Sequence, residues 1–210
     1  MNYAALVSAV ASYTENTFPT VDMNLFITQA EKRIYNTVQI PALRKNVTGV
    51  TTASNKYLAC PDDFLSSYSL AAIDPATGAY SYLLNKDVNF IREAYPKPTT
   101  TGSPKYYALF GPAVASSVIT TELTFLVGPT PDAAYSMELH YYYYPESIVT
   151  ASTTWLGDNY DPALLYGTLV EAYTYMKGEQ DMVVLYNTKF GEALTQLKRL
   201  GDGLERQDAY

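Results

Sequence analysis

The hydrophobic pattern changes period twice along this chain of 210 residues, and that order constrains the fold more than any single motif. From Asp22 onward Met23, Phe26, Ile27, Ala30, Ile34 and Val38 recur three and four residues apart, which is one face of a helix. Between residues 43 and 150 valine, threonine and tyrosine rise and turn signals recur, so this stretch reads as short antiparallel strands. The helical period then returns. Leu165, Thr168, Leu169, Ala172, Tyr173 and Met176 share one face, and Val183, Tyr186, Phe190, Ala193, Leu197 and Leu200 share another.

The expected fold is therefore α+β. A helical base formed by the N- and C-terminal helices (residues 1–42 and 151–210) carries a central, projecting, antiparallel β-rich region (43–150). Such a length suits one globular unit, built on one core or carrying a substantial insertion.

Local signals divide these blocks further. Residues 3 to 13 are alanine-rich and predict a short helix that Thr17 to Thr20 ends; Asp22 suits a helix start, and Pro41 closes the helix it opens. Asp74 to Gly78 predicts a hairpin turn between strands Leu65–Ile73 and Tyr80–Leu84. A short helix is expected at 85–95, an exposed proline-rich loop at 96–104, a turn at Gly111-Pro112, and strands at 105–110, 122–127 and 135–144. Asp161-Pro162 marks a helix start with the acid at the cap, Gly178 a break, and Gly201-Asp202-Gly203 the end of the last helix, leaving 204–210 as a polar tail.

Composition narrows function mainly by exclusion. The net charge is −7 and no basic patch is visible, which argues against a surface that clamps nucleic acid. With one cysteine, Cys60, and one histidine, the chain lacks the material of a Cys/His zinc site. Neither a signal peptide nor a run of about 18 apolar residues is apparent, so a soluble, membrane-independent protein made in a reducing cytoplasm is expected. Asp62-Asp63 and Asp158 with Asp161 read as turn and cap residues, not as calcium ligands. Glu138 and His140 share a strand face, but no nucleophile motif accompanies them and His140 reads as a packed aromatic. No catalytic residue, cofactor or metal is expected.

Tyrosine is the compositional outlier, with 21 copies against 7 phenylalanines and 1 tryptophan. Rings that are apolar in body and polar at the tip suit interfaces and half-buried sheets alike. The alternation across residues 135–144 sets Tyr135, Met137, Leu139, Tyr141 and Tyr143 against Ser136, Glu138, His140, Tyr142 and Tyr144. Candidate subunit-interface residues are Tyr142 and Tyr144 on that strand, with Tyr186, Phe190 and Leu197 on the last helical stripe. Both surfaces are equally compatible with internal core.

Four segments in a fixed order carry a resemblance to a known family: Phe26 to Tyr35, with its Ala-Glu-x-x-Ile core; Tyr57 to Leu65, containing Pro61-Asp62-Asp63-Phe64; Gly102-Ser103-Pro104-Lys105-Tyr106-Tyr107; and Trp155-Leu156 through Asp161-Pro162 to Ala172. Together they resemble the head-to-tail adaptor, or connector, proteins of short-tailed bacteriophages. The resemblance implies a virion structural protein at the head-tail interface and a homo-oligomeric ring of about twelve copies. It implies partners in the portal protein and the tail nozzle or tail tube, and double-stranded DNA passing through the lumen without specific binding. Other readings of the same features are another tail-tube or head-completion protein, and a carbohydrate-binding β module that stacks its tyrosines on sugars.

Overall fold

The computed structural model describes the backbone of residues 1–115 and 118–208, with side chains for all of these except 113–115, 118–122 and 206–208. In chain order the elements are α1 (Tyr3–Thr14), α2 (Thr20–Thr37), a 3-10 turn (Pro41–Leu43), β1 (Arg44–Val50), β2 (Tyr57–Ala59), β3 (Phe64–Ile73), β4 (Tyr80–Tyr82), β5 (Leu84–Asn85) and α3 (Val88–Ala94). There follow β6 (Tyr106–Ala115), β7 (Val118–Gly128), β8 (Ser136–Tyr143), α4 (Ile148–Ala151), α5 (Trp155–Asn159), α6 (Asp161–Met176) and α7 (Gln180–Asp208). The fold is α+β with helices at both ends of the chain. The chain divides into two compact units: residues 1–43 with 144–210, and residues 44–143, which form an insertion in the sequence of the first.

The helical unit is organised around α6, which packs against α1, α2 and α7. Its core joins Leu6 and Val10 of α1, Phe26, Ile27 and Ile34 of α2, Leu164 and Leu169 of α6, and Phe190 and Leu197 of α7. Asn2 caps α1 by accepting from the Ala5 amide at 2.9 Å. Helix α2 ends at Thr37, before Pro41, because Val38 turns extended and it and Ile40 are buried in the core; Pro41 opens the 3-10 turn instead. Two acids expected at helix starts lie inside the first turn. Asp22 follows Pro19, the residue at the cap of α2, and Asp161 follows Tyr160, with no side-chain cap at either end. There the carboxylates still complement the positive helix terminus.

The last helix runs through Gly201 and Gly203 as far as Asp208, where a break was expected; Ala209 and Tyr210 of the expected tail lie outside the described residues. Close packing explains the first glycine, since a Cβ on Gly201 would stand 2.9 Å from the Gln39 carbonyl oxygen. Nothing lies within 4 Å of a Cβ on Gly203. Gly203→Ala is thus expected to stabilise the chain by about 0.5–1 kcal/mol through helix propensity. Gly201→Ala, with the same propensity gain but a backbone clash, should lower the thermal midpoint.

The inserted unit holds two four-stranded sheets. The first has order β1-β8-β3-β4 and is antiparallel throughout; the second has order β2-β7-β6-β5, with β5 and β6 parallel. One core unites Phe64, Leu70, Met137, Leu139 and Tyr141 of the first sheet with Tyr107, Phe125 and Val127 of the second. Helix α3 covers the second sheet's other face by setting Ile91 on Ala108 and Leu126, and Asp87 caps it by accepting from the Asn89 and Phe90 amides.

The β3–β4 hairpin forms as expected. Gly78 takes φ +70° in its turn, and the Asp74 carboxylate accepts from the Ala76 and Thr77 amides at 2.8 and 2.9 Å. The strand ends at Tyr82, however, and Leu84 crosses to the second sheet as β5. Gly111-Pro112 is not a turn either. It lies within β6, where Gly111 takes φ +120° and the register with β7 shifts, a bulge that bends the strand.

Candidate interaction surfaces

From Tyr186 to Leu197 the stripe on α7 faces inward, while Leu200 at its end is 41 % exposed. Leu197 is fully buried, Phe190 is 3 % exposed and Tyr186 7 %, and all three pack into the helical unit's own core, the alternative that the sequence left open beside a subunit contact. Phe190 fills the junction of three helices: a Cβ on Gly167 of α6 would meet its ring at 2.9 Å and the Ala30 Cβ of α2 at 3.0 Å. Above the ring, 4.8 Å from its centroid, lies the Arg33 guanidinium, which also donates to Glu171 at 2.8 Å. Tyr186 lies among Tyr13, Tyr166 and Tyr173 with ring centroids 5.0 to 6.5 Å away, and burial pushes its hydroxyl up to about 12.

Tyr142 is also buried. Its hydroxyl accepts from Arg44 at 2.8 Å, while the Arg44 guanidinium lies 3.9 Å over the Tyr68 ring. Tyr144 keeps 37 % exposure and donates its hydroxyl to Asn36. The exposed tyrosines of the first sheet stand elsewhere, on β3 and β4: Tyr68, Tyr80 and Tyr82, each at least half exposed. By register Tyr82, Ala71 and Glu138 align in one row, and Tyr80, Ile73 and Ser136 in the next. Sequence reasoning placed these tyrosines in a hairpin without assigning them a face. The i, i+2 spacing of Tyr80 and Tyr82 was the signal, since it sets both rings on one side.

On this face Tyr80 donates to Glu138 at 3.4 Å, and the glutamate charge raises the Tyr80 hydroxyl above its usual value. His140 meets Tyr68 edge-on at 5.2 Å. Glu138 and His140 thus engage different tyrosines, and His140 is packed as an aromatic.

The other face and the edge of the first sheet have a different chemistry. Tyr141 is buried and donates to Asp63 at 2.7 Å, while Lys45 donates to the other oxygen at 2.6 Å. Burial pushes the Asp63 carboxyl up, but these two bonds outweigh it and hold the group below its ordinary value. Strand β1 is an edge, exposed along all but its first residue. Beside it opens an apolar cleft of about 260 Å³, whose lining includes Val47, Leu58, Phe125, Met137 and Leu139. Cys60 lines it, buried, with its thiol pushed up to about 12 by burial, so the neutral thiol persists at pH 7.

In the helical unit, sequence reading missed Glu31. It is 3 % exposed and accepts from the Ile148 amide at 2.9 Å at the start of α4. Its position four residues after Ile27 and before Tyr35 put it on the buried stripe. Desolvation raises its carboxyl above the ordinary value despite bonds from Ile148 and Ser147. A raised folded pKa means stability is fully present below the unfolded value, near pH 4, and is lost as pH rises through the folded one. Glu31→Gln, which keeps the acceptor and removes the charge, is expected to match or exceed the native chain in melting midpoint at pH 7. Glu31→Ala should lose about 1 kcal/mol.

Among the described residues no group of three or more His, Cys, Asp or Glu side chains is placed to hold a metal ion, and no helix is long and apolar enough to cross a membrane. A family model described as SU10 adaptor protein matches residues 1–209. No curated protein matches the chain.

Proposed function

We infer that the chain, which belongs to the SU10 adaptor protein family, is a structural component of a phage virion that assembles into a closed ring at the head-to-tail junction. In this reading about twelve copies sit beneath the portal and offer a platform to the tail nozzle or tail tube, since identical subunits with heterologous contacts close when the rotation fits. The observation that carries it is the family match across residues 1–209. Three surfaces suit the role: the exposed tyrosines of β3 and β4, the bare edge of β1, and the apolar cleft beside it. Its work is assembly and not catalysis. A net charge of −7 favours passage over adhesion of double-stranded DNA through the lumen, because like charge keeps the duplex from sticking.

The decisive measurement is the mass of the purified chain with and without its cognate portal ring, by mass photometry or native electron microscopy. A discrete ring of about a dozen copies on the portal is the expected result. Failure to bind a properly assembled portal would overturn this reading in favour of another tail component.

A further inference from the structure

The face of the second sheet that carries α3 is a row of cations laid over rings. The Lys56 Nζ lies 5.5 Å from the Tyr57 centroid, the Lys86 Nζ 5.5 Å from that of Phe90, and the Arg92 guanidinium 5.3 Å from that of Phe110. Tyr57 and Phe110 meet at 5.3 Å, so Lys56, two rings and Arg92 are continuous. Tyr57 is 41 % exposed and Phe90 38 %. Among the described residues no carboxylate forms an ion pair with any of the three cations. Lys56 and Arg92 also line one slot of about 30 Å³, together with Tyr95, Pro96 and Pro98. That is room for a carboxylate group or a water and too little for a ring.

The charge that would answer these cations lies on the same chain. Acids and bases nearly balance in the inserted unit, so almost all of the net charge of −7 belongs to the helical unit. Part of it gathers where the end of α1 lies against the turn from α6 to α7. There the Tyr173 hydroxyl donates to the Tyr13 carbonyl at 3.0 Å, and the Asn16 side-chain amide donates to the Met176 sulfur at 3.4 Å. Glu15, Glu179 and Asp181 are exposed at this end beside one base, Lys177, and among the described residues none of the three acids is ion-paired. Tyr13 and Tyr175, 48 % and 56 % exposed, add apolar surface.

We propose that the α3 face of the inserted unit in one copy docks the acidic end of the helical unit in the next copy, with a carboxylate of Glu15, Glu179 or Asp181 seated in the slot that Lys56 and Arg92 line. Charge complementarity favours a second copy over nucleic acid. Three cations neutralise too few phosphates to hold a duplex at physiological salt, whereas the slot takes a single carboxylate and the half-exposed rings beside it suit a protein surface. Face and end are different surfaces, so the contact is heterologous, and its repetition generates a ring. This inference rests on the ring-subunit reading.

The first test uses the native chain. A carbodiimide activates a carboxylate, and a lysine amine already in contact displaces the activating group as a urea, leaving an amide with no spacer. With unlabelled and heavy-nitrogen-labelled chains mixed, with and without the portal ring, intermolecular links from Lys56 to Glu15, Glu179 or Asp181 should exceed those from Lys198, exposed on α7, by at least about ten-fold, because docking raises the effective concentration. Equal yields from the two lysines would overturn the proposal.

The second test reverses charge. One chain carries Lys56→Glu with Arg92→Glu, and another Glu15→Lys, Glu179→Lys and Asp181→Lys; both should keep the native circular dichroism spectrum. In sedimentation velocity each alone should associate at least about ten-fold more weakly than the native chain, since like charges then oppose each other. An equal mixture should recover native association, because the reversed face meets the reversed end and the native face the native end. Reversed chains that associate as the native chain does, or a mixture no better than its parts, would overturn the proposal. A double-stranded oligonucleotide that binds the native chain but not the Lys56→Glu, Arg92→Glu chain would assign the face to nucleic acid and overturn it too. Portal binding of the native chain separates the two ideas. Binding without Lys56 links leaves the adaptor reading standing and removes this one, links without binding do the reverse, and neither result removes both.

Discussion

Phe190→Ala is expected to lower the stability of the helical unit by about 3–5 kcal/mol, the usual cost of deleting a large buried ring. The ring is 3 % exposed, and α6 and α2 already meet beside it, a Cβ on Gly167 standing 2.9 Å from the ring and 3.0 Å from the Ala30 Cβ, so there is little room to collapse into the void. The Arg33 guanidinium, 4.8 Å from the ring centroid, loses its aromatic partner as well. Phe190→Glu should cost more, since a carboxylate replaces an apolar group in a dry junction. Read by far-ultraviolet circular dichroism against denaturant, the alanine variant should unfold at clearly lower concentration and the glutamate variant should lack the native helical signal at 25 °C. A glutamate variant that folds normally and merely fails to assemble would show that this side chain belongs to a subunit contact.

That contrast marks the limit of what periodicity conveys. Spacings of three and four residues identify the face of α7 that is apolar, but a helix offers the same stripe to its own core and to a neighbour. The deciding quantity is the number of other helices in the unit. Here α1, α2 and α6 are enough to enclose Tyr186, Phe190 and Leu197. Local signals were legible where one short stretch decides the structure: the alanine-rich α1, the stripe of α2, the Asp74–Gly78 turn and the short helix within 85–95.

Signals failed where a distant segment decides. Gly201 reads as a break until the Gln39 carbonyl is found against it, and Gly111-Pro112 reads as a turn until β7 supplies a partner on both sides of the bulge. Alternation along β8 gave the buried row of Met137, Leu139 and Tyr141, but Tyr142 departs from it, being buried on the opposite face with Arg44. The exposed tyrosine face depends on register between β3 and β4. Register is a pairing property that composition does not encode.

Phe125→Ala should be as costly in the inserted unit, at about 3–5 kcal/mol. Phe125 comes from the second sheet, is 1 % exposed, and meets Phe64 of the first sheet edge-on at 5.4 Å and Tyr107 of its own sheet edge-on at 5.6 Å. Edge-to-face pairs of this kind add to simple area burial. Its ring is also a wall of the 260 Å³ cleft, so truncation would join a ring-sized void to space that already exists and leave Met137 and Leu139 facing it. Phe125→Leu retains most of the volume and should recover more than half of the loss. The midpoints of urea unfolding for the three chains should therefore order as native, leucine, alanine, with unchanged slopes. A loss below about 1 kcal/mol for the alanine variant would mean that the two sheets do not depend on this ring for their union. The expected larger loss would mean that the cleft is lined by side chains the core cannot spare, so that its shape is set by the same packing that joins the two sheets.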